Sequence, residues 1–226
     1  MSGENKWETF ANKNAKGYVD TSVKDLDEEE RAKIFFESGQ KFTKKRIAKV
    51  ADLLPDKEHA LEIGAGVGRL TIPHAQIFEE VIAVDISPTM IEKMTKNAGQ
   101  VGLKNIHPFL PEEPWDEEAI SYAYSYFVFQ HIADFTVIEN YIQRIAGCLK
   151  IKGIAQLHFD TRKSNFLYRL RSLIPDFLLP ETQKKGIQRI RRNPDQLRRL
   201  FKKHNLEIVG EYGCNTANAF FLLRKY

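Results

Sequence analysis

The chain has 226 residues, of which 42% are hydrophobic and 28% are charged. This length is typical of one domain, and the composition supports a sizeable core and excludes a disordered polypeptide. No apolar run approaches the roughly 18 residues of a membrane span, and the first ten residues do not resemble a secretory signal. Two cysteines, Cys148 and Cys214, are too few for a disulfide framework or a zinc site, so we expect no metal and a reducing, cytoplasmic location.

The net charge of +4 conceals an asymmetry along the chain. Residues 141–226 contain 18 Lys and Arg against 6 Asp and Glu, whereas the rest of the chain is acidic overall. The basic half is either a solvated helix face or a surface for an acidic partner. Such a partner would be a phosphorylated substrate, a nucleic acid or a membrane surface.

The first third of the chain is predicted to be helical. Helical spacing of apolar residues predicts one helix over 27–38, ended by Gly39, and another over 41–54, ended by Pro55. We assign residues 1–55 to an N-terminal helical cap and residues 56–226 to the main domain.

After residue 55 the pattern alternates between strands and helices. Strands are predicted at 60–63, 81–86, 106–110, 120–125 and 153–159, and helices at 70–78, after Ser87-Pro88, at 135–149 and after Asn193-Pro194. Two late strands, 207–212 and 219–224, suggest an antiparallel hairpin at one edge. The fold class is therefore α/β: a Rossmann-like, doubly wound sheet of about seven strands, mostly parallel with one antiparallel C-terminal strand, and helices on both faces.

A glycine-rich loop follows the first strand of this sheet. Its sequence, Glu62-Ile-Gly-Ala-Gly-Val-Gly-Arg69, has glycines at 64, 66 and 68. The dinucleotide fingerprint would need a glycine at position 69, and the phosphate-binding Gly-Lys-Ser/Thr sequence is absent. Glycines there permit a tight turn and close approach to a ligand, and we expect the N–H groups at the start of the following helix to face the ligand and to favour an anionic group.

Asp85 ends the second strand, 21 residues after Gly64. A carboxylate at this position is placed to accept hydrogen bonds from both hydroxyls of a ribose lying across the strand tips. The alternative is a helix cap, for which Ser87 is better placed. Together the loop and the carboxylate predict a nucleoside ligand.

Four segments in this order resemble class I S-adenosylmethionine-dependent methyltransferases, including the small-molecule methyltransferases of types 11 and 12. They are Glu62-x-Gly-x-Gly-x-Gly with Asp85, the Val84-Asp-Ile-Ser-Pro-x-Met90 stretch, the Ser125–Ile132 segment after the fourth strand, and Leu149-Lys-Ile-Lys-Gly153. The resemblance implies S-adenosylmethionine as cofactor and leaves the substrate open. One departure is that the acidic residue expected after the third strand is absent, and Pro111 and Glu112 stand there.

The resemblance also implies roles for individual residues. Asp85 would hold the ribose, Ile86 and Met90 would flank the adenine, and Arg69 would either pair with the cofactor's carboxylate or face solvent. The complete set of predicted cofactor-binding residues is Glu62, Gly64, Ala65, Gly66, Gly68, Arg69, Asp85, Ile86, Met90, Ser125 and Tyr126.

Methyl transfer from a sulfonium requires alignment of the acceptor and often removal of its proton. His131, just after the fourth strand, is the first candidate for a general base, and His158 and Asp160 are the others. Gln130 and Phe129 are predicted to contact the acceptor. Tyr18 and Phe36 would form a lid, or an ordinary packed cap.

Residues 161–192 combine basic and apolar side chains and are expected to be a substrate-covering insertion.

The leading function is methyl transfer to an O or N nucleophile of a small-molecule acceptor. Alternatives are a methyltransferase acting on protein or nucleic acid, a non-catalytic cofactor-binding scaffold and, disfavoured by the glycine spacing, a nicotinamide-dependent oxidoreductase. The oligomeric state is left open.

Overall fold

The computed structural model describes residues 8–9, 28–116, 119–164, 168 and 188–226. The chain forms two compact units, Met1–Ala123 and Tyr124–Tyr226. Tyr18 and most of the predicted insertion 161–192 lie outside the described residues, and the division into a cap and a main domain stays a prediction.

Parallel strands with helical crossovers build the first unit. Its elements are α1 (Glu28–Ile47), a 3-10 turn (Ala51–Leu53), β1 (His59–Ile63), α2 (Thr71–Ala75), β2 (Glu80–Val84), α3 (Pro88–Gln100) and β3 (Ile106–Phe109). Strand β2 pairs in parallel with β1 on one side and with β3 on the other. The carboxyl ends of β1 and β2 therefore face the same edge, where the glycine loop and Asp85 follow.

An antiparallel group of strands characterises the second unit. Strand β4 (Ile120–Ser125) spans the boundary, and α4 (Phe135–Cys148), β5 (Leu149–Phe159), α5 (Pro194–Lys203), β6 (Leu206–Tyr212) and β7 (Ala219–Lys225) follow. Strand β7 pairs antiparallel with both β5 and β6. The predicted pairing of the last two strands is thus confirmed, with β6 rather than β7 at the edge.

The strand order is β3-β2-β1-β4-β5-β7-β6. This order reverses direction between β1 and β4, which is where doubly wound sheets bind ligands. The predicted mostly parallel, doubly wound sheet with one antiparallel C-terminal strand is confirmed. Among the described residues, no helix has the length and apolarity needed to cross a membrane.

Local sequence signals set the starts of three helices. The side chains of Ser87, Asp134 and Asn193 cap α3, α4 and α5, each accepting a hydrogen bond from a backbone N–H of the first turn. Pro88 and Pro194 occupy first helical positions, where a missing N–H has no cost. These starts agree with the sequence, whereas α2 is shorter than predicted and β5 begins earlier, at Leu149.

The prediction that Gly39 ends a helix is wrong. Helix α1 continues through it to Ile47, and Gly39 is buried. A methyl group at this position would overlap the carbonyl oxygen of Arg69 and would lie 2.9 Å from the Arg69 Cγ. Glycine is therefore needed here because α1 packs directly on the backbone of the glycine loop, not because the helix stops.

We predict that Gly39→Ala destabilises the protein by about 1–3 kcal/mol, the usual cost of forcing extra volume into a packed contact. Gly99→Ala is the matched control, because a methyl group there meets nothing within 4 Å on helix α3. It should stabilise by about 0.5–1 kcal/mol through helix propensity. Urea unfolding measures both, and equal effects of the two substitutions would contradict the close packing of α1 on the loop.

His74 forms part of the core of the first unit. It is fully buried in α2, its Nδ1 lies 2.8 Å from the Leu70 carbonyl oxygen, and its ring stacks on Phe78 and Tyr122. Burial lowers the pKa of His74 from 6.5 to about 3, because the apolar surroundings disfavour the imidazolium. The side chain is therefore neutral in the folded protein.

This buried histidine predicts a loss of stability at mildly acid pH. Below pH 6.5 the unfolded chain takes up a proton at His74 and the folded chain does not, so stability falls by about 1.4 kcal/mol per pH unit towards pH 3. His74→Phe keeps an aromatic ring in the stack and removes the proton. Urea unfolding at pH 7 and pH 5 should show a smaller loss for the variant, and parallel losses would argue against a buried neutral histidine.

Candidate active site

Three glycines of the loop between β1 and α2 adopt the left-handed backbone conformation. Gly64, Gly66 and Gly68 have φ values of 85°, 55° and 88°, a region that residues with side chains rarely adopt. A side chain on Gly68 would also crowd Met94, whose Cγ would lie 2.9 Å away. The spacing of the three glycines is therefore dictated by the path of the backbone.

The loop's N–H groups are used within the protein. Those of Gly64 and Ala65 donate to the Val84 carbonyl at 2.7 and 3.1 Å, that of Gly68 donates to the Ala65 carbonyl, and that of Gly66 donates to Asp85. These four N–H groups are therefore satisfied within the protein, and the expectation that the N–H groups at the start of the helix face an anion stays a prediction. The geometry fits an uncharged group such as a ribose better than a phosphate.

Asp85 joins the loop to the next helix. Its Oδ2 accepts from the Gly66 N–H at 2.8 Å, and its Oδ1 accepts from the Ser87 N–H at 2.9 Å. Each oxygen keeps a further lone pair, so the carboxylate is able to accept two ribose hydroxyls as well. Burial raises the pKa of Asp85 above its ordinary value, and the two backbone donors oppose that rise.

Glu62 lies beneath the loop and is buried. Its Oε2 accepts a hydrogen bond of 2.6 Å from the hydroxyl of Thr71, the first residue of α2. The two ends of the loop are thereby tied together. Glu62 therefore helps to order the loop, and its contact with a cofactor stays a prediction.

Arg69 is held within the protein and does not simply face solvent, which is one of the two arrangements that the sequence allows. Its Nε and Nη2 donate to the Ser38 hydroxyl at 3.1 and 2.9 Å, and its guanidinium lies 5.7 Å from the centroid of the Phe35 ring. Ser38 in turn donates to the Phe35 carbonyl. Arg69 therefore fastens α1 to the end of the glycine loop, and its pairing with a cofactor carboxylate stays a prediction.

The residues predicted to flank an adenine differ in accessibility. Ile86 is 52% exposed and has surface to offer a ligand, whereas Met90 is 2% exposed and packs with Phe35 and Val67. Phe36 is half-buried and packs edge-on against Phe35. Met90 thus has a packing role, and a ligand contact through its side chain is disfavoured.

Glu8 joins this region from the distant N-terminus. Its carboxylate accepts hydrogen bonds from the hydroxyls of Ser87 and Thr89 at the start of α3. These bonds lower the pKa of Glu8, and its negative charge contributes to raising the pKa of Asp85. Sequence reasoning missed Glu8, since a residue 79 positions from its partner gives no local signal.

The second unit carries the residues predicted at the end of β4. Ser125 is buried, and the Tyr126 hydroxyl donates to the Gln156 Oε1 at 2.6 Å. Phe127 follows with a φ of 65°, a strained value for a residue with a bulky side chain. Such strain is common at ligand sites, and here it marks the turn that leaves β4.

His158 supports that turn. The Phe127 N–H donates to the His158 Nδ1 at 3.1 Å, and the rings of Phe127 and Phe220 lie 4.7 and 4.8 Å from the imidazole. The ring is fully buried in β5. This geometry favours a positioning role for His158 over the predicted proton transfer, because its Nδ1 is already an acceptor within the protein.

Phe129, Gln130 and His131 form one 3-10 turn. Phe129 is fully buried and stacks on Phe159, so it belongs to the core and not to an acceptor surface. The Nε2 atoms of Gln130 and His131 are 3.1 Å apart. The amide Nε2 of Gln130 is a donor, so the His131 Nε2 accepts this bond and the neutral imidazole carries its proton on Nδ1. His131 takes up a further proton on Nε2 only by giving up this bond, and its role as a base stays a prediction.

Asp160 is fully buried and paired. Its carboxylate accepts from the Arg162 backbone N–H at 3.1 Å and from the Arg162 guanidinium at 2.5–3.1 Å. This pairing raises the pKa of Arg162. A carboxylate neutralised in this way is a poor general base, so the structure disfavours the predicted catalytic role of Asp160 and gives it a structural one.

Comparison with known families identifies the class of protein. The family model described as "Methyltransferase domain" matches residues 35–211. The chain belongs to this methyltransferase family, and its resemblance to class I S-adenosylmethionine-dependent methyltransferases is confirmed. A search of curated proteins finds no match to the chain.

Solved structures share the fold at low identity. Magnesium protoporphyrin IX methyltransferase from Synechocystis PCC 6803, solved with bound S-adenosylhomocysteine, has a TM-score of 0.65 and 16% identity, with 99% of this chain and 100% of that chain covered. An S-adenosylmethionine-dependent methyltransferase from Clostridium acetobutylicum has a TM-score of 0.64 and 15% identity, covering 98% and 99%. A putative sarcosine dimethylglycine methyltransferase from Galdieria sulphuraria has a TM-score of 0.62 and 15% identity, covering 82% and 84%.

The raised pKa of Asp85 predicts how ligand binding responds to pH. Only the ionised carboxylate accepts from both ribose hydroxyls, so affinity for S-adenosylhomocysteine should fall as Asp85 takes up a proton, at a pH above its ordinary 3.8. Asp85→Asn should bind more weakly at pH 7 and show a flatter profile. Calorimetry across this range tests it, and parallel profiles for the two proteins would show that Asp85 does not contact the ligand.

Proposed function

We propose that this enzyme transfers a methyl group from S-adenosylmethionine to an oxygen or nitrogen nucleophile of a small-molecule acceptor, giving S-adenosylhomocysteine. The observation that carries the proposal is the half-buried Asp85 carboxylate, held at the end of β2 by the Gly66 and Ser87 N–H groups. It lies beside a loop whose glycines leave no side chain in the way.

The residues present fit an adenosyl ligand. Asp85 retains lone pairs for a ribose, exposed Ile86 offers an apolar surface to a base, and the loop offers bare backbone. Four N–H groups of the loop are already satisfied, which disfavours a phosphate there and supports a nucleoside without phosphates. When bound, S-adenosylmethionine supplies a methyl group activated on a sulfonium.

The chain's own contribution is alignment and proton removal. Asp85 orients the ribose, and Arg69, Ser38 and Glu62 keep the loop in its binding conformation. His131 is the proposed base: its Nε2 takes the acceptor's proton after the acceptor replaces the Gln130 amide as the partner of that nitrogen. His158 holds the backbone of the β4 turn through the Phe127 N–H.

A small acceptor and a cytoplasmic location complete the proposal. Two of the structural relatives are, by their names, methyltransferases of magnesium protoporphyrin IX and of sarcosine and dimethylglycine. These names support a small-molecule acceptor. No disulfide joins Cys148 and Cys214 in the described part of the chain, which supports a reducing compartment.

A methyl-transfer assay tests the acceptor class. The protein is incubated with S-adenosylmethionine carrying a tritiated methyl group and with separated small-molecule, RNA and protein fractions of a cell extract. We expect label in the small-molecule fraction, its loss in Asp85→Ala, and its retention in Gly99→Ala. Label in RNA or protein instead would overturn the small-molecule proposal, and cofactor binding without any transfer would favour the scaffold alternative.

Replacement of His131 tests the proposed base. With a labelled acceptor fraction in hand, His131→Ala should lower kcat by about 10²–10⁴-fold, the usual contribution of a general base, with affinity for S-adenosylhomocysteine unchanged. Gln130→Leu should have a smaller effect. A kcat within threefold of the native value would show that no base acts from this position.

A further inference from the structure

Two consecutive arginines lie beside the end of β5. Arg191 forms a β-bridge with Asp160, and the Arg192 N–H donates to the Asp160 carbonyl at 2.8 Å. The neighbouring Ile190 N–H donates to the Gln130 carbonyl at 2.6 Å. The segment 190–192 is thus fixed against the 3-10 turn that contains Gln130 and against the end of β5, within the second unit.

The Asp160 carboxylate pairs with a third arginine, Arg162. Asp160 is bound along the Nε and Nη2 edge of Arg162, the geometry that pairs a guanidinium with a carboxylate through two parallel hydrogen bonds. Its charge is thereby matched by Arg162. Among the described residues, no ion pair joins Arg191 or Arg192 to a carboxylate.

Arg191 is held in place without being neutralised. Its Nη1 donates to the Lys163 carbonyl at 2.8 Å, and its guanidinium lies 4.3 Å from the centroid of the Tyr168 ring. Its Nε is shielded from water and has no hydrogen-bond acceptor. Among the described residues, the Arg191 Nε, which lies on the edge that Arg162 uses for Asp160, therefore has no acceptor.

Arg192 shows the same arrangement. Its Nη2 donates to the carbonyls of Ile132 and Ala133, and its guanidinium lies 5.5 Å from the centroid of the Phe135 ring. Its Nε is also shielded and has no acceptor. Burial lowers the pKa of Arg192, which is the sign of a cation that is incompletely compensated.

Arg191 is held against one phenol. Its guanidinium stacks on the Tyr168 ring, and its backbone N–H donates to the Tyr168 hydroxyl at 3.2 Å. We call Arg162, Arg191, Arg192 and Tyr168 the arginine cluster. Among the described residues, the carboxylates that act on these arginines are Asp160, bound to Arg162, and Asp134, whose charge acts on Arg192.

Half-buried cations with shielded, unsatisfied N–H groups are costly unless an anion completes them. A guanidinium fork binds carboxylate and phosphate groups most strongly. We propose that the arginine cluster binds an anionic group of the methyl acceptor, a carboxylate or a phosphate. This inference rests on the proposed function and narrows its acceptor to a small molecule that carries such a group.

The backbone contact between Ile190 and Gln130 connects this site to the proposed acceptor residues. Gln130 and the candidate base His131 occupy the same 3-10 turn, and the Arg192 guanidinium binds the carbonyl of Ile132, the next residue. An anion held by Arg191 and Arg192 would therefore anchor the acceptor beside His131.

The test uses inorganic phosphate and butyrate as probes of the two anion chemistries. The full chain is first saturated with S-adenosylhomocysteine, so that neither probe occupies the nucleoside site, and each probe is titrated by calorimetry at constant ionic strength. We expect saturable binding of at least one probe. The stronger probe distinguishes a phosphate site from a carboxylate site.

Three single variants show where the probe binds. Arg191→Gln and Arg192→Gln should each weaken binding by about tenfold to a hundredfold, the loss expected for charge-assisted hydrogen bonds. Arg199→Gln is the matched control, because Arg199 is exposed on α5 in the same basic half. Should Arg192→Gln fail to fold, Arg191→Gln alone decides, since the Arg191 guanidinium makes one hydrogen bond, to the Lys163 carbonyl.

The outcomes separate this proposal from the proposed function. Equal weakening in all three variants would show unspecific attraction and overturn the arginine cluster as a site. Absence of probe binding by a native chain that still binds S-adenosylhomocysteine would also overturn it, with the methyltransferase function intact. A native chain that does not bind S-adenosylhomocysteine would instead contradict the proposed function.

Discussion

The hydrogen bonds of the Asp85 carboxylate are the interactions on which the rest of the first unit depends. One oxygen holds the Gly66 N–H of the loop after β1, and the other holds the Ser87 N–H at the start of α3. Loop, strand end and helix start are thereby fixed together by a single side chain. Helix α1 then presses on the same loop through Gly39 and Arg69, so the loop is held from two sides. Partial burial of this carboxylate costs free energy, and the two hydrogen bonds that fix the loop and the helix start offset that cost.

The two units present different chemistry to a ligand. The loop of the first unit has its N–H groups satisfied internally, which suits an uncharged nucleoside. The second unit contains guanidinium groups that its own carboxylates do not fully match. Arg191 and Arg192 place part of the basic charge of the C-terminal half beside the end of β5, whereas Arg199 is exposed on α5.

Features that depend on neighbouring residues in the sequence were predictable. The strands follow from apolar runs, the starts of three helices follow from Ser87, Asp134 and Asn193, and the glycine spacing with Asp85 indicated the family. Features that depend on distant partners were not. The sequence predicts a helix end at Gly39 and gives no sign of the contact with Arg69, which is 30 positions away. It likewise predicts catalytic roles for His158 and Asp160, because their contacts with Phe127 and Arg162 are visible only once the side chains are placed. Met90 and Phe129 face the core, although their positions beside family motifs suggested ligand contact.

Amide hydrogen exchange at Gly66 tests most directly whether Asp85 holds the loop before any ligand binds. In the ligand-free native chain the Gly66 N–H should be protected, and Asp85→Ala should accelerate its exchange by about tenfold or more, as expected for loss of a charge-assisted hydrogen bond. The Gly64 N–H, which donates to the Val84 carbonyl, is the internal reference and should change less. Equal exchange of Gly66 in the two proteins would contradict the account, because the loop would then keep its conformation without Asp85.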